Sequence, residues 1–389
     1  MLPLAWSASA RAELDWVPYG GVQVEHQSNL FETEDTDEAL RQNGDPQRDD
    51  NVLRYIVGVG ARYRAGLQTF NLDLEGRRLE YEHFTEIDHD EHAIDGEWLW
   101  KVGSQVDGFL RYHQERRVAS FADLNISDLT QQFDRSLEGN AGWLMTPRWR
   151  LEAGGRGYRS ELPLPNYPEF MLQENAGTLA LKYLGLARLR AGVLGEYIDG
   201  EYTGDNNEMK FDEVSMLLTL DYDIANFSTT SLRVGFSDRD LTLLDATDPA
   251  NRHDEVSGFT GEFSYTRIFS VKTSASLQAF RRIDSFASGS NAIIDTGVGA
   301  ALNWRITPKT TMVASYTYSQ NKFDAQGGEQ ARRDDLQLAG VDLRYELLNW
   351  LWVRPYWQYR DRDSNTDDQS FINHIVGAEL RAHFGRPLS

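Results

Sequence analysis

Arginine recurs at alternate positions of segments whose other positions are apolar. Between residues 53 and 63, for example, Arg54 and Arg62 alternate with Leu53, Tyr55 and Val57. A guanidinium group presents a planar fork of donors that matches a carboxylate or a phosphate, and rings of such side chains are one basis of anion selectivity in pores. The pattern predicts a surface that binds or passes anionic or polar solutes.

The arginines that occupy these alternate, non-apolar positions form a candidate solute pathway. They are Arg54, Arg62, Arg111, Arg150, Arg156, Arg188, Arg190, Arg233, Arg282, Arg344, Arg354, Arg360 and Arg381. Four aromatic residues have the same parity and are candidate stacking surfaces for sugar rings: Phe109, Tyr158, Trp352 and Tyr356. Acidic residues such as Glu75, Glu152, Glu262 and Glu379 are interleaved on the same face. The alternative for each arginine is therefore a stabilising ion pair with a carboxylate on a neighbouring strand, without any ligand.

Other kinds of chemistry find little support in the sequence. Two acidic clusters offer hard oxygen ligands: Glu32, Glu34, Asp35 and Asp37, and further on Asp245, Asp248 and Asp254. No spacing in either of them matches a calcium loop, and a solvated polar loop is the simpler interpretation. No H-E-x-x-H metal motif, G-x-S-x-G nucleophile elbow or glycine-rich phosphate loop is present, and there are no cysteines. We therefore expect neither an enzyme nor a bound metal or cofactor.

The stretch from Trp350 to Phe384 shows which elements must carry these side chains. It contains two alternating segments around a polar tip, and in the first of them Leu351, Val353 and Trp357 oppose Arg354. Such alternation predicts β-strands with one apolar and one charged face. A charged interior needs water inside and lipid outside, which is the arrangement of a transmembrane β-barrel.

The connections between such segments alternate between short and long. Eight short ones lie at 65–67, 102–104, 146–148, 184–186, 223–227, 268–270, 307–309 and 347–349. Nine long polar ones lie at 28–51, 82–90, 118–133, 161–170, 200–210, 241–252, 284–290, 323–334 and 363–370. The count predicts an all-β, antiparallel, up-and-down barrel of about eighteen strands. Both termini would lie beside the short, periplasmic turns, and the longest loop, 28–51, would either fold inward as a constriction or stand up as a lid.

Aromatic residues provide a separate indication. Most tryptophans lie within a few residues of a predicted short turn, as do several tyrosines: Trp100, Trp143, Trp149, Trp304, Trp350, Trp352, Tyr63, Tyr183, Tyr222 and Tyr345. An aromatic belt at one membrane interface has this distribution.

Composition sets the remaining bounds. The chain has 389 residues, a formal net charge of -21 and a mean hydropathy of -0.53. No apolar run approaches the roughly 18 residues of a spanning helix, and the acidic balance argues against nucleic-acid binding. Ala10-Arg11-Ala12 resembles a signal-peptidase site. We therefore expect residues 1–12 to be the remnant of a secretory signal peptide, or else a disordered alanine-rich terminus, and residues 13–389 to form one barrel.

The C-terminal third resembles a known family. The residues that carry the resemblance are the segment Tyr359–Asn365 with Phe371, Asn373, Val376, Leu380 and Phe384, the hairpin from Leu302 to Ser319, and Phe280–Ser285. They are similar to the putative β-barrel porins encoded with exopolysaccharide biosynthesis genes. The resemblance implies a Gram-negative outer-membrane barrel associated with secretion of, or interaction with, an extracellular polysaccharide, and it supplies no catalytic residues.

Three functions are compatible with these observations. The first is an outer-membrane channel that passes or engages an acidic or polar polysaccharide, with lipopolysaccharide around it and periplasmic secretion components as further partners. The second is a general or anion-selective diffusion porin for small solutes. The third is a non-conducting structural barrel whose loops bind a partner.

Overall fold

In the described part of the chain, eighteen antiparallel strands, one short α-helix and one 3-10 helix, Thr85–Ile87, make up the fold. The computed structural model describes residues 12–121, 129–163, 170–204, 207–225, 227–245, 252–285, 292–323 and 331–385. The strands are β1 Glu13–Gln27, β2 Asp50–Ala65, β3 Gln68–Tyr81, β4 His89–Val102, β5 Val106–Val118, β6 Gln131–Thr146, β7 Trp149–Leu162, β8 Phe170–Tyr183, β9 Leu189–Gly204, β10 Asn207–Ala225, β11 Ser228–Asp245, β12 Arg252–Ser270, β13 Thr273–Ser285, β14 Ala292–Thr307, β15 Thr310–Phe323, β16 Arg333–Leu348, β17 Leu351–Ser364 and β18 Phe371–His383. The helix, α1, is Thr36–Asn43.

The sheet closes on itself. Each strand pairs with its neighbours in sequence, and β1 pairs with both β2 and β18. The closing register runs from Tyr19 opposite His383 to Gln27 opposite Ile375. Closure leaves no strand edge with unpaired backbone groups, which is what a β-sheet needs in order to cross lipid. The predicted eighteen-strand, all-β barrel is confirmed. In the described part of the chain, no helix combines the length and the apolar character needed to cross a bilayer.

The two faces of the wall differ as the alternation predicts. Val57, Met216 and Phe236 point outward and are 68%, 62% and 69% exposed in the isolated chain. Arg54 lies opposite Gln23 and Arg233 opposite Glu262, all with inward parity. Apolar side chains therefore surround the barrel, while charged ones line its interior. Of the residues assigned to the aromatic belt, Trp352 is wrongly placed, because it is buried on the inner side of the wall.

The short turns lie where the sequence predicts them, within one to three residues, but several strands are longer than expected. β9 continues to Gly204, β10 begins at Asn207 and β11 continues to Asp245, inside stretches predicted to be loops. The reason is visible at the long-loop ends of these strands, where outward residues such as Glu201 and Lys210 are charged. At these ends the usual pattern is inverted, because the outward residues meet water while the inward residues Tyr202, Met209 and Phe211 are apolar and buried.

The longest loop folds into the barrel. In this segment, residues 28–49 and hereafter loop 1, Leu30 and Phe31 are buried against the inward side chains Val52, Leu79 and Tyr81. α1 is capped at its start by the side chain of Asp35, which accepts a hydrogen bond from the backbone N–H of Glu38. It ends at Gly44, whose φ of 73° is the left-handed conformation that favours glycine. Of the two expected arrangements of this loop, the structure has the inward one.

A second apolar cluster closes part of the interior on the far wall. It contains Leu172, Ile198, Tyr202, Met209, Phe211, Leu241 and Val256. Beside it, the buried Arg239 pairs with Glu213 at 2.7 Å and stacks over Phe211. Apolar side chains are therefore buried inside the barrel both beneath loop 1 and at this cluster.

Candidate solute pathway

Among the cavities formed by the described residues, three follow the inner wall. The largest of these three, of about 890 Å³, lies along β3–β11 and is lined by Phe109, Glu138, Arg156 and Arg233, among others. A second, of about 490 Å³, lies along β11–β13. A third, of about 560 Å³, lies along β15–β18 and contains Arg344 and Trp352. Charged and hydroxyl side chains border all three, so these spaces suit water and polar solutes.

Most of the predicted pathway arginines are paired with carboxylates at 3.8 Å or less. The pairs are Arg54 with Glu25, Arg111 with Glu97, Arg150 with Asp107 and Glu152, Arg156 with Glu174, Arg190 with Asp223, Arg233 with Glu262, Arg282 with Asp284 and Asp295, Arg354 with Asp342 and Glu379, Arg360 with Glu32, and Arg381 with Glu75 and Glu379. The wall is therefore a network of alternating charges and not a ring of free arginines, as the ion-pair alternative anticipated.

Three of the predicted arginines have other surroundings. Arg62 donates a hydrogen bond to Asn71 at 2.8 Å. Arg344 stacks on the Trp352 ring, with 4.9 Å between its guanidinium carbon and the ring centroid. Arg188 lies outside the strands, in the turn before β9, where it donates to the backbone oxygen of Ile224 at 3.2 Å. The expectation that Arg188 lies on a lumen-facing strand is wrong, because β9 begins one residue later.

The aromatic side chains differ in how much surface they offer. The Tyr356 hydroxyl is buried, donating to Glu25 at 2.5 Å and accepting from Gln23 at 2.6 Å. Trp352 is also buried, and Tyr158 hydrogen-bonds Asp134 at 3.0 Å. These three rings support the wall, because their neighbours cover most of their faces. Phe109 is less covered and borders the largest cavity, with Arg111 stacked on it at 4.3 Å.

The most extensive charge network crosses the closure of the barrel. Glu379 on β18 is 1% exposed and receives Arg354 from β17 at 2.8 Å and Arg381 at 2.5 Å. Arg381 continues to Glu75 on β3 at 3.3 Å, and Glu75 accepts from the Tyr19 hydroxyl at 3.0 Å. The network connects strands from the two ends of the chain, so it stabilises the closed barrel as well as lining it.

Loop 1 is held against the wall by polar contacts. The backbone N–H of Asn29 donates to the Asn373 side chain at 3.2 Å, and Arg360 pairs with Glu32 at 3.3 Å. Arg41 on α1 reaches Asp368 in the last loop at 2.9 Å. These contacts hold the loop inside the barrel along β17, β18 and the loop that joins them.

The sequence contains a local signal for α1. Asp35 is followed three residues later by Glu38, and Gly44 follows the helix.

Asp45 of loop 1 and His83, which follows β3, form an exposed pair at 2.9 Å. This pair makes the anchoring of loop 1 dependent on pH. The hydrogen bond with Asp45 raises the pKa of His83, while the backbone N–H of Gln47, and then His83, lower the pKa of Asp45. The contact is lost as pH rises through the folded pKa of His83 and as pH falls through that of Asp45. We expect protease cleavage within loop 1 to be slowest between roughly pH 4 and 6.5, and to increase about twofold on the alkaline side. His83→Gln should remove the alkaline change, and a rate that stays constant with pH in the unaltered chain would contradict the assignment.

Among the residues that the structure describes, no group of three or more histidine, aspartate or glutamate side chains is placed to hold a metal ion. In the acidic cluster at the start of loop 1, Asp35 caps α1 and Glu32 pairs with Arg360. Asp248, in the other acidic cluster, and the predicted cleavage site up to Arg11 lie outside the described residues.

Comparison with known proteins supports the same architecture. Residues 219–384 match the family described as Putative beta-barrel porin 2, which confirms the resemblance of the C-terminal third to a β-barrel porin family and does not test its association with exopolysaccharide. No curated protein matches the chain.

Solved structures of similar fold include the following three. The FrpB iron transporter from Neisseria meningitidis has 9% identity over 90% of this chain and 63% of its own, with a TM-score of 0.50. Pseudomonas aeruginosa OccK2 in complex with glucuronate has 10% identity over 96% and 98%, with a TM-score of 0.45. The alcaligin outer membrane receptor FauA from Bordetella pertussis has 8% identity over 94% and 76%, with a TM-score of 0.45.

Proposed function

We propose that this chain, a porin-like barrel of the bacterial outer membrane, is a channel that passes or engages a polar extracellular polysaccharide through its water-filled lumen. In this arrangement the short turns and both termini face the periplasm, where secretion components would deliver or receive the polymer. The long loops face the outside.

The observation that carries the proposal is the ion-paired wall around the cavities. A sugar chain presents many hydroxyl groups, and arginine–carboxylate pairs offer donors and acceptors side by side. Because most of the arginines already have a carboxylate partner, a single contact with a hydroxyl is weak. Many weak contacts along a wall allow entry without trapping the solute, which a conducting pathway requires.

Charge pairing also bears on selectivity. Carboxylates neutralise most of the predicted arginines, so the wall lacks the large positive potential of an anion filter. This favours a neutral or mixed-charge polar polymer over selection for anions alone.

A diffusion porin for small solutes is the second candidate, and the cavities along the wall favour it. Bilayer recordings separate the candidates, since an open porin conducts at rest and a polysaccharide channel conducts only after loop 1 moves or a partner binds. A structural barrel stays silent in both conditions. Deletion of the gene followed by measurement of secreted polymer tests the polysaccharide assignment directly.

Reversing two charges beside the largest cavity should change ion selectivity. Arg156 and Arg233 line this cavity and pair with Glu174 at 3.4 Å and Glu262 at 3.8 Å. In the double variant Arg156→Glu and Arg233→Glu, each ion pair would become a pair of carboxylates, and we expect the cation-to-anion permeability ratio to rise by roughly twofold or more. Reversal potentials in a salt gradient measure this ratio.

A matched control carries the same change in charge at the end of the barrel. Arg188 lies in a turn and Arg190 pairs with Asp223 close to the next turn. Arg188→Glu with Arg190→Glu should shift the ratio less than the first double variant. Equal shifts would mean that the large cavity is not the narrow part of the ion path.

A further inference from the structure

Three arginines lie side by side on the outer surface of consecutive strands. Arg116 is on β5, Arg135 on β6 and Arg159 on β7, and all three have outward parity. Arg135 lies directly opposite Arg159 in the register, and Arg116 lies opposite Phe133. We name this set the arginine arc. It lies at the long-loop ends of the strands, next to outward apolar residues such as Leu137, where the lipid-facing band ends.

The arc has too few carboxylates to neutralise it. Like charges directly opposite each other on paired strands are destabilising. The acid that pairs with Arg159 is Glu161, whose Oε1 lies 2.6 Å from the Arg159 Nε. The same oxygen is 4.0 Å from Arg135. Since one carboxylate serves two facing guanidinium groups, and Arg116 lies beside them, the arc carries an excess of two positive charges.

The guanidinium group of Arg116 has one donor without a partner among the described residues. This group stacks over Phe133 at 5.0 Å and donates to the Gln131 side chain. Its Nε is shielded from solvent and has no hydrogen-bond partner in the described part of the protein. A buried donor without a partner is costly, so the present contacts leave the guanidinium group incompletely satisfied.

Two other parts of the described outer surface have a different arrangement of charge. Arg78 on β3 also points outward, but Glu80, Asp88 and Asp90 surround it within 3.8 Å. On β9–β12, by contrast, four outward carboxylates form a row across neighbouring strands. Asp199 lies opposite Asp212, Asp212 opposite Asp240, and Asp240 opposite Glu255. The barrel therefore presents a cationic arc on one side and an anionic row on another.

We infer that the arginine arc binds the phosphate groups of an outer-leaflet glycolipid headgroup. Phosphate carries enough charge to balance the excess, and its oxygens match the donor forks of two facing guanidinium groups. The source is a lipid, because the arc borders the lipid-facing band and the acyl chains of a bound lipid would lie along Leu137 and Tyr112. This binding is independent of solute passage through the lumen.

The test compares two lipids that differ only in phosphate. The full chain in nonionic detergent micelles is mixed with bisphosphorylated lipid A or with its fully dephosphorylated form, and bound lipid is counted by native mass spectrometry over a concentration series. We expect the phosphorylated lipid to bind about tenfold more tightly. No preference between the two lipids would overturn the inference, and this comparison needs no altered protein.

Variants locate the site. Arg135→Gln with Arg159→Gln should abolish the preference, whereas Arg78→Gln, which removes an arginine already surrounded by acids, should keep it. A preference that persists in the double variant, or disappears equally in the Arg78 variant, would overturn the assignment to the arc. Inorganic phosphate at the same phosphate concentration should not displace the lipid, and effective displacement would mean a soluble-anion site instead.

Discussion

Replacing Glu379 with alanine is expected to destabilise the barrel by about 3 kcal/mol. The carboxylate is buried between the guanidinium groups of Arg354 and Arg381, so its removal leaves two cations facing each other without their shared partner. The loss lies at the lower end of the usual range for a broken buried pair, because water partly reaches Arg354. The midpoint of urea unfolding of the refolded protein in lipid vesicles measures the effect.

Glu379→Gln separates charge from shape at the same position. An amide oxygen can still accept one hydrogen bond, so an intermediate loss is expected. The control is Glu262→Gln, since Glu262 and Arg233 are 3.8 Å apart and both side chains are 55% exposed. This second change should leave stability almost unaltered. Equal losses at the two positions would mean that the closure network does not stabilise the barrel.

Replacing Phe31 with alanine is expected to release loop 1 from the wall and to raise single-channel conductance. Phe31 is 3% exposed and packs edge-on against Phe84 at 4.8 Å and Phe121 at 4.9 Å. Truncating such a ring costs about 3–5 kcal/mol of packing. Loop 1 keeps its polar contacts through Asn29 and Glu32, but the loss of this packing should let it detach from the wall for a larger fraction of the time. Recordings should show larger and noisier currents, and proteases should cut within loop 1.

Leu40→Ala provides the control within the same loop. Leu40 lies on α1 but is 50% exposed, so its truncation removes little packing. Conductance should stay at the level of the unaltered chain. If Phe31→Ala increased cleavage of loop 1 and left conductance unchanged, the loop would not border the conducting path.

The strand count, the turns and the two faces of the wall follow from the sequence. Alternation with a period of two is local information, because it depends only on which residues must contact lipid and which must contact water. Arg54, Arg156 and Arg354 could therefore be assigned to the interior without any knowledge of their neighbours. The same local signal fails where strands leave the lipid, as at Glu201 and Lys210, since the outward face there is charged and the inward face is apolar.

The partner of each interior arginine could not be derived in this way. Arg381 reaches Glu75, which is 306 residues away in sequence, because closure brings β18, β1, β2 and β3 together. The inward fold of loop 1 depends on side chains from several strands and loops, among them Val52, Phe84 and Phe121. A shift of one residue in any strand pair would reassign these contacts.

By itself, then, the sequence determined that this protein is a closed barrel with lipid outside and water inside, because period-two patterning and turn spacing are properties of adjacent residues. Only the tertiary structure decided that most interior arginines are neutralised, that Tyr356 and Trp352 are buried in the wall, and that Arg135 faces Arg159 on the outer surface. These features depend on register between strands, which is fixed by packing and closure of the whole sheet.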